Sequence, residues 1–400
     1  MNAWAFALRS LVRQPARAAL AVLGVAAVGA LLFDMLLLSR GLLVSFRDLL
    51  DCTGFDVRVM ATDTPFGGPP IANASAAAAA IARLPEVEDV ASVRYGEATT
   101  AATTGRSLQV GFMSIDHGTR RPWRLLAGQD LGAPDPQGPP PLVVNRKLAE
   151  TLRLSAGSAI VLRASCSSRE PISAPAVRFH VAGIVEFPFD AADALGAATG
   201  SDAFRRACGL EQEEAEMLLV AARPRSGPEA AVKAIEAIRP DLHAFSNADM
   251  MALFERIGFS YFRQISTVLA SVTLLFALLL ITVLLTVSVN QRFAELAALR
   301  ALGFTRARLV ADVFCQSALL VGTGGALAVP LGFALAEWLD RILRAMPGIP
   351  ASVRFFSFEP RALLLYAGLL AITAALAALY PTTLVARLPI AATLRNEAVT

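Results

Sequence analysis

Four long apolar runs interrupt an otherwise polar chain. Each run holds about 20 or more mostly apolar residues, which is the length a helix needs to cross a hydrocarbon core about 30 Å thick. The predicted spans are residues 18–39, 265–289, 309–336 and 361–385. The pattern therefore predicts a membrane protein with four transmembrane α-helices and a large domain, residues 40–264, inserted between helices 1 and 2.

The inserted domain is predicted to have an α+β fold, because short strand-like runs alternate with helix-like stretches. Helical stretches near its two ends are expected to continue directly into spans one and two, which would join the domain to the membrane through rigid helices. The predicted strands include Phe55–Met60, Ser107–Met113, Ala159–Arg163 and Val177–Val185, and the predicted helices include Leu42–Leu50, Ser75–Leu84, Glu229–Ile238 and Met250–Phe262.

Composition agrees with a membrane protein. Hydrophobic residues make up 55% of the chain and charged residues 17%, whereas a soluble domain has about 25% charged residues. The formal net charge is only +3, and no basic run is long enough to predict a nucleic-acid surface. Nucleic acid is therefore not an expected partner, whereas membrane lipids are.

The distribution of arginines predicts the orientation of the spans. Short cytoplasmic flanks collect Lys and Arg, whereas large translocated domains do not follow this rule. Three stretches are accordingly predicted to be cytoplasmic: the amphipathic N-terminal segment 1–17, the link 290–308 and the tail 386–400. The domain 40–264 and the short loop 337–360 then lie outside, with Trp338 as an interfacial anchor. The arginines concerned are Arg9, Arg13, Arg17, Arg292, Arg300, Arg306, Arg308, Arg387 and Arg395.

No catalytic or metal site is predicted. A nucleotide-hydrolysing domain needs a glycine-rich phosphate loop ending in Lys and Ser or Thr, and neither Lys147 nor Lys233 has that context. His117, His180 and His243 are too far apart for the spacing of a zinc site. The chain also contains no G-x-S-x-G turn of a serine hydrolase. We therefore expect a protein that is not itself an enzyme.

Three cysteines fall in the inserted domain. One disulfide among Cys52, Cys166 and Cys208 is compatible with an oxidising compartment and would leave one thiol over. The pairing cannot be deduced, because it depends on distances that the sequence does not give. Cys315, inside span three, is interpreted as a small apolar filler.

Two features inside the spans attract attention. Asp34 lies near the outer end of span one, and the favoured interpretation is that it reaches the interface or pairs with Arg40 rather than carrying a proton. In span three, a cluster of small residues and one proline predicts a close helix–helix contact and a kink, and a further hypothesis is that the kink is also a moving hinge. That cluster consists of Gly322, Gly324, Gly325, Pro330 and Gly332.

The cytoplasmic link has helical spacing. Leu296, Leu299 and Leu302 fall on one face, and Arg292 and Glu295 are neighbours at i, i+3. Gly303 provides a natural end to the helix. On spacing alone, a surface helix lying against the bilayer explains this pattern as well as any more specific function does.

The link also resembles a motif of the FtsX/MacB-like permeases, the type VII or mechanotransmission class of ABC transporters, which runs roughly R-R-x-E-I-G-I-L-R-A-L-G-A-S. The matching positions are Arg292, Glu295, Leu299, Arg300, Ala301, Leu302 and Gly303, and the departures are Ala297, Ala298, Phe304 and Thr305. Four further stretches are similar to family patterns: Leu8–Arg17, Val143–Ser158, Phe179–Val185 and Tyr380–Arg395.

The resemblance implies a permease subunit in the cell (inner) membrane that holds no cofactor itself. A separate cytoplasmic ABC ATPase would bind ATP and Mg and dock on the link, with coupling residues Arg292, Glu295, Leu296, Leu299, Arg300, Leu302 and Gly303. A second permease subunit, identical or not, would complete the complex, with a periplasmic adaptor or a substrate lipoprotein as a further partner. The expected function is export or release of a lipoprotein, lipid or small hydrophobic molecule.

Two alternatives stay open at this point. In the first, the same complex transports nothing and instead activates a cell-wall hydrolase or relays a signal. In the second, the chain is a stand-alone sensor or scaffold that works without an ATPase. The sequence does not identify the cargo.

Overall fold

A computed structural model describes residues 15–64, 68–101, 107–116, 118–132, 138–166, 175–257, 259–290, 305–346, 350, 353–356 and 360–386. The chain divides into two compact units. The helical unit comprises Met1–Leu42, Gly258–Arg341 and Arg354–Thr400, and the sheet unit comprises Leu43–Ile257 and Ile342–Val353. Four apolar helices with a sheet-rich domain between the first and second confirm the predicted fold class.

The elements alternate in chain order. The helices are α1 Pro15–Asp51, α2 Ala74–Ile81, α3 Arg146–Leu152, α4 Ser201–Cys208, α5 Pro228–Ile238, α6 Asn247–Ile257, α7 Phe259–Asn290, α8 Arg306–Arg344 and α9 Pro360–Ala386. The strands are β1 Val57–Met60, β2 Ile71–Ala72, β3 Val87–Ala101, β4 Ser107–Asp116, β5 Arg124–Gly128, β6 Pro141–Asn145, β7 Ala159–Ser165, β8 Val177–Glu186, β9 Gly196–Thr199, β10 Glu214–Ala215, β11 Met217–Ala222 and β12 His243–Ser246.

Within the described residues, four helices are long and apolar enough to cross a membrane. Helix α1 continues to Asp51 and α8 to Arg344, beyond the predicted ends of spans one and three. The extension of α8 follows from its sequence, because residues 337–344 contain neither glycine nor proline and Pro347-Gly348 come only afterwards. The apolar stretches of the four helices are Ala18–Asp51, Gln264–Val287, Val310–Arg344 and Pro360–Thr383.

The core of the helical unit is centred on Phe33 of α1, which is fully buried. Its ring lies edge-on to Phe333 of α8 and Tyr366 of α9, with both centroid distances 5.4 Å. The Tyr366 hydroxyl donates a hydrogen bond to the backbone oxygen of Gly325, 3.2 Å away. A buried tyrosine needs such a partner, so this contact fixes α9 against α8.

The sheet unit is built on one large, mostly antiparallel sheet. Its described strands follow the order β12-β1-β11-β3-β4-β9-β6-β8-β5, and β7 pairs with β3 and β8. The long pair β3–β4 runs from Ser92↔Asp116 to Ala101↔Ser107 without a register shift. The pairs β4–β9 and β6–β8 are parallel, and β2 forms a separate small sheet with β10.

Helices cover two separate parts of this sheet. Helices α2 and α5 bury alanines and isoleucines, among them Ile81 and Ile235, against β1 and β11. Helices α3 and α4 bury Leu148 and Phe204 in a second cluster, in which Phe204 stacks on Phe112 at a centroid distance of 4.9 Å. The helices therefore cover two of the apolar clusters of the sheet unit, and strand β3 contributes residues to both.

Candidate functional site

The predicted coupling helix lies outside the described residues. This applies to Arg292, Glu295, Leu296, Leu299, Arg300, Leu302 and Gly303. The described chain ends at Asn290 on one side of the link and resumes at Thr305 on the other. The docking function of these residues stays a prediction.

The predicted small-residue cluster lies on α8, where it meets α1. A methyl group added at Gly324 would lie 2.7 Å from Val25, and one added at Gly332 would lie 2.8 Å from Phe33. Between them, a methyl group on Gly29 of α1 would lie 2.9 Å from that of Ala328. The contacts recur every four residues on both helices, so α1 and α8 run parallel and approach at the distance that only small residues permit.

The remaining members of the cluster point elsewhere. Gly325 faces α9, where an added methyl group would collide with Leu370. Gly322 has nothing within 4 Å of an added methyl group, and it lines an apolar groove of about 490 Å³ between α8 and α9. Pro330 lies inside α8 and supplies no backbone N–H to the turn before it. The structure therefore brings Gly324, Gly325 and Gly332 into helix contacts and leaves Gly322 open.

The structure buries Asp34, and its predicted pairing with Arg40 stays a prediction. Its side chain is 1% exposed, and neither carboxylate oxygen has a hydrogen-bond partner among the residues that the structure describes. The side chain of the expected partner, Arg40, lies outside that description. The prediction considered only neighbours on the same helix, whereas packing by other helices of the unit decides the burial.

A polar cluster that sequence reasoning missed lies at the first residue of α6. The Asn247 amide donates to the Asp51 carboxylate, 2.8 Å away, and to the backbone oxygen of Phe55, 3.3 Å away. Its side-chain oxygen accepts from the Arg58 guanidinium, and its backbone N–H donates to the oxygen of Asp56 at 2.9 Å. We call Asp51, Phe55, Asp56, Arg58 and Asn247 the Asn247 hub.

Local sequence explains why α6 begins at this point. Ser246 Oγ accepts a hydrogen bond from the Asp249 backbone N–H at 3.1 Å, and the Asp249 carboxylate accepts from the Ser246 N–H at 3.0 Å. This reciprocal pair is a capping box. The Ser246-x-x-Asp249 spacing is the signal that would have located the helix start, which was predicted at Met250.

An apolar layer adjoins the hub. Leu50 of α1, Met60 of β1 and Met250 of α6 are each at most 5% exposed within one cluster. Phe46 and Phe254 extend it, with their rings edge-on at a centroid distance of 4.4 Å. The end of α1 and the helix α6 thus pack side by side near β1, the second strand of the sheet.

The structure resolves the cysteine pairing that the sequence left open. Cys166, just after β7, is bonded to Cys208 of α4, with their Cα atoms 5.5 Å apart. Cys52 is an exposed free thiol and Cys315 is a partly buried one. The disulfide ties α4 to the strand that pairs with both β3 and β8.

A titratable carboxyl lies within hydrogen-bond reach of the end of β6. Burial raises the pKa of Asp190 to about 6, and a hydrogen bond from the Asn145 amide opposes this shift. Asn145 also caps α3 by accepting from the Leu148 N–H at 2.8 Å. His180 and His243 lie in β8 and β12, and the described residues contain no group of three side chains arranged to bind a metal ion.

Two family models match the chain. The MacB-like periplasmic core domain matches residues 18–238, and the FtsX-like permease C-terminal domain matches residues 267–390. The first covers more than half of the chain. No curated protein gives a significant match.

Solved structures of similar fragments exist. The extracellular domain of the noncanonic ABC-type transporter YknZ from Gram-positive bacteria is 11% identical, with a TM-score of 0.34, over 48% of this chain and 99% of that one. The periplasmic region of MacB from Actinobacillus actinomycetemcomitans is 9% identical, with a TM-score of 0.35, over 50% and 94%. A domain of a putative permease from Porphyromonas gingivalis is 14% identical, with a TM-score of 0.30, over 48% and 87%.

Proposed function

Because the chain belongs to the FtsX/MacB-like permease family, which makes it a multi-pass membrane protein of transporter type, we propose that it couples ATP hydrolysis to movement of its sheet unit. The two family matches carry the proposal, since they cover both the inserted domain and the three later helices. Members of this family work with a cytoplasmic ABC ATPase. A permease subunit is not itself a catalyst.

The link between α7 and α8 is the proposed docking element for that ATPase. Arg292, Glu295 and Arg300 would form ion pairs and hydrogen bonds with the ATPase surface. The apolar face of Leu296, Leu299 and Leu302 would fill a groove in it, since amphipathic helices bind grooves through such spacing. Gly303 would end the helix before α8. ATP and Mg would be bound by the ATPase alone.

The proposed cargo is a lipoprotein, a lipid or a small hydrophobic molecule, exported or released on the extracytoplasmic side. The arginine bias supports an orientation in which both termini are cytoplasmic and the sheet unit is extracytoplasmic. A complex would contain two permease subunits, and closure of the paired ATPases would move their sheet units.

The test is co-purification with an ABC ATPase. We would co-express the full chain with ABC ATPases encoded beside it, purify it in nanodiscs, and measure bound ATPase and ATP hydrolysis. Wild type is compared with the triple variant Arg292→Ala, Glu295→Ala, Arg300→Ala. The matched control replaces three exposed charges of the sheet unit, Glu150, Lys233 and Glu236, by alanine.

The expected result is stable ATPase binding in wild type and control, and its loss in the link variant. Binding that survives in the link variant would place docking elsewhere. An absence of ATPase binding in wild type would contradict the transporter and leave a sensor or scaffold. Binding without cargo-stimulated hydrolysis, together with a stable cell-wall hydrolase partner, would favour the regulator.

A further inference from the structure

We propose that Asn247 and Arg58 are positioning residues that fasten the last turn of α1 and the first turn of α6 to strand β1, so that these segments move as one body. The inference rests on the proposed function for its purpose, because α1 contains the first span and α6 precedes the second. Its structural part stands on contacts within the sheet unit alone.

Asn247 uses all the hydrogen-bonding groups of its side chain on other segments. An asparagine side chain offers two N–H donors and a carbonyl acceptor, and Asn247 uses the donors on Asp51 and Phe55 and the acceptor on Arg58. Its backbone N–H binds Asp56 as well. A residue that only capped a helix would bond to the first turn of that helix, whereas the side chain of Asn247 bonds to other segments of the chain.

The hub contains a buried charge, the guanidinium of Arg58. Arg58 is 5% exposed, and arginine is rarely buried unless it is paired. Burial lowers the pKa of its guanidinium, and the nearby Asp51 and Asp56 are among the groups that oppose this shift. Removal of one partner would leave a buried charge with fewer contacts, which is costly. The arginine therefore makes any separation of α6 from β1 unfavourable.

Asp56 extends the hub into the sheet. Its carboxylate accepts from the Ala222 N–H at 3.0 Å, and its own N–H donates to the oxygen of Val220 at 3.0 Å. Both partners belong to β11, the strand beside β1. With the adjoining contact of Phe46 and Phe254 at 4.4 Å, the two helices share polar and apolar contacts beside strand β1.

The first experiment is hydrogen exchange measured by mass spectrometry on the full chain in nanodiscs. In Asn247→Ala, amide exchange is expected to rise about tenfold in both 43–51 and 247–257, because more than one hydrogen bond is lost. The matched control is Asn145→Ala, at another asparagine with three side-chain hydrogen bonds. It should loosen the start of α3 and leave both segments unchanged.

The second experiment exchanges the partners. Asn247→Asp alone places two carboxylates together at residues 51 and 247 and should raise exchange in 43–51. Adding Asp51→Asn restores a donor and an acceptor across the same gap and should return exchange most of the way to wild type. A purely local effect, confined to 247–250 in every variant with 43–51 unchanged, would overturn the inference.

The third experiment uses the ATPase complex. In wild type, ATP should change the exchange pattern of β1 and β11, whereas Asn247→Ala should keep ATPase binding and lose that change. A variant that keeps the full ATP-dependent change would overturn the coupling role. If wild type binds no ATPase, the proposed function fails, while the first two experiments still decide whether the hub fastens the helices.

Discussion

The helical unit and the sheet unit hold their parts together by different interactions. In the helical unit, α1 and α8 approach through Gly29, Gly324 and Gly332, and Asp34 is buried with no hydrogen-bond partner among the described residues. In the sheet unit, Arg58 and Asn247 are held by hydrogen bonds between segments far apart in the chain. Close packing of small residues is therefore the distinctive feature of the α1–α8 contact, whereas the sheet unit adds polar partners and a covalent link to its apolar clusters.

The two units differ in this way because one is surrounded by lipid and the other by water. Between helices in a bilayer no hydrophobic effect drives association, so close packing of small residues does so instead. In water, burial of apolar surface drives folding, and buried polar groups must find partners to avoid a desolvation penalty. Each of the following predictions tests this difference between the two units.

The largest effect is expected from loss of the disulfide. In the chain-entropy model, a crosslink across 42 residues contributes about 4 kcal/mol to the free energy of unfolding. Cys166→Ser with Cys208→Ser should lower the unfolding temperature of the sheet unit and leave the helical unit unchanged, as followed by differential scanning calorimetry in detergent. Cys52→Ser, at an exposed free thiol, is the control. Equal destabilisation of both units would contradict the expectation that they unfold separately.

The next largest effect is expected at Gly324. A leucine there would collide with Val25 of α1, and overpacking of this kind costs about 1–3 kcal/mol or more. Gly324→Leu should lower the yield of monodisperse protein in size-exclusion chromatography and its unfolding temperature. Gly322→Leu faces open space and should behave like wild type. Equal effects of both variants would show that helix propensity, not contact, sets the outcome.

Replacement of Asp34 is expected to have a smaller effect of the opposite sign. Because this buried carboxyl lacks a described partner, Asp34→Leu should raise the free energy of unfolding by about 1–2 kcal/mol. Asp340 is the matched control, since it is 5% exposed and accepts from the Phe355 N–H at 2.9 Å. Asp340→Leu should destabilise. Thermal unfolding in one detergent compares the two, and destabilisation by Asp34→Leu would reveal a partner for Asp34.

A pH dependence is expected from Asp190. Its pKa is raised by burial from 3.8 to about 6, so the folded state binds the proton more tightly than the unfolded state. This contribution to stability is complete below about pH 4 and is lost as the pH rises through about 6. The difference in unfolding free energy between wild type and Asp190→Asn, measured from about pH 4 to 7, should follow this trend. A flat difference would contradict it.

Much of the architecture could be predicted from the sequence, because apolar length and periodicity are local signals. The four spans were found, and the predicted strands at Ser107, Ala159 and Val177 begin where the structure has them. The long strand β3 was missed, since its Gly96 and its mixture of Ala, Thr and Glu weaken the β pattern. Its length is set by pairing with β4, β7 and β11 rather than by its own residues.

The contacts at the candidate site were less predictable. Asn247 reaches partners 189 and 196 positions away, and no periodicity reports such contacts. The Cys166–Cys208 bond depends on how α4 packs beside β7, which the spacing of cysteines does not reveal. The coupling helix was predicted from a resemblance, and it lies outside the described residues.

The bond between Cys166 and Cys208 also reports on the compartment in which the sheet unit folds. Disulfides persist in oxidising compartments and are rare in the reducing cytosol. The oxidation state of this pair in cells is therefore an internal marker of membrane topology, readable by alkylation of free thiols before lysis without any fusion reporter. A population with both thiols free would place residues 166 and 208 in the reducing cytosol.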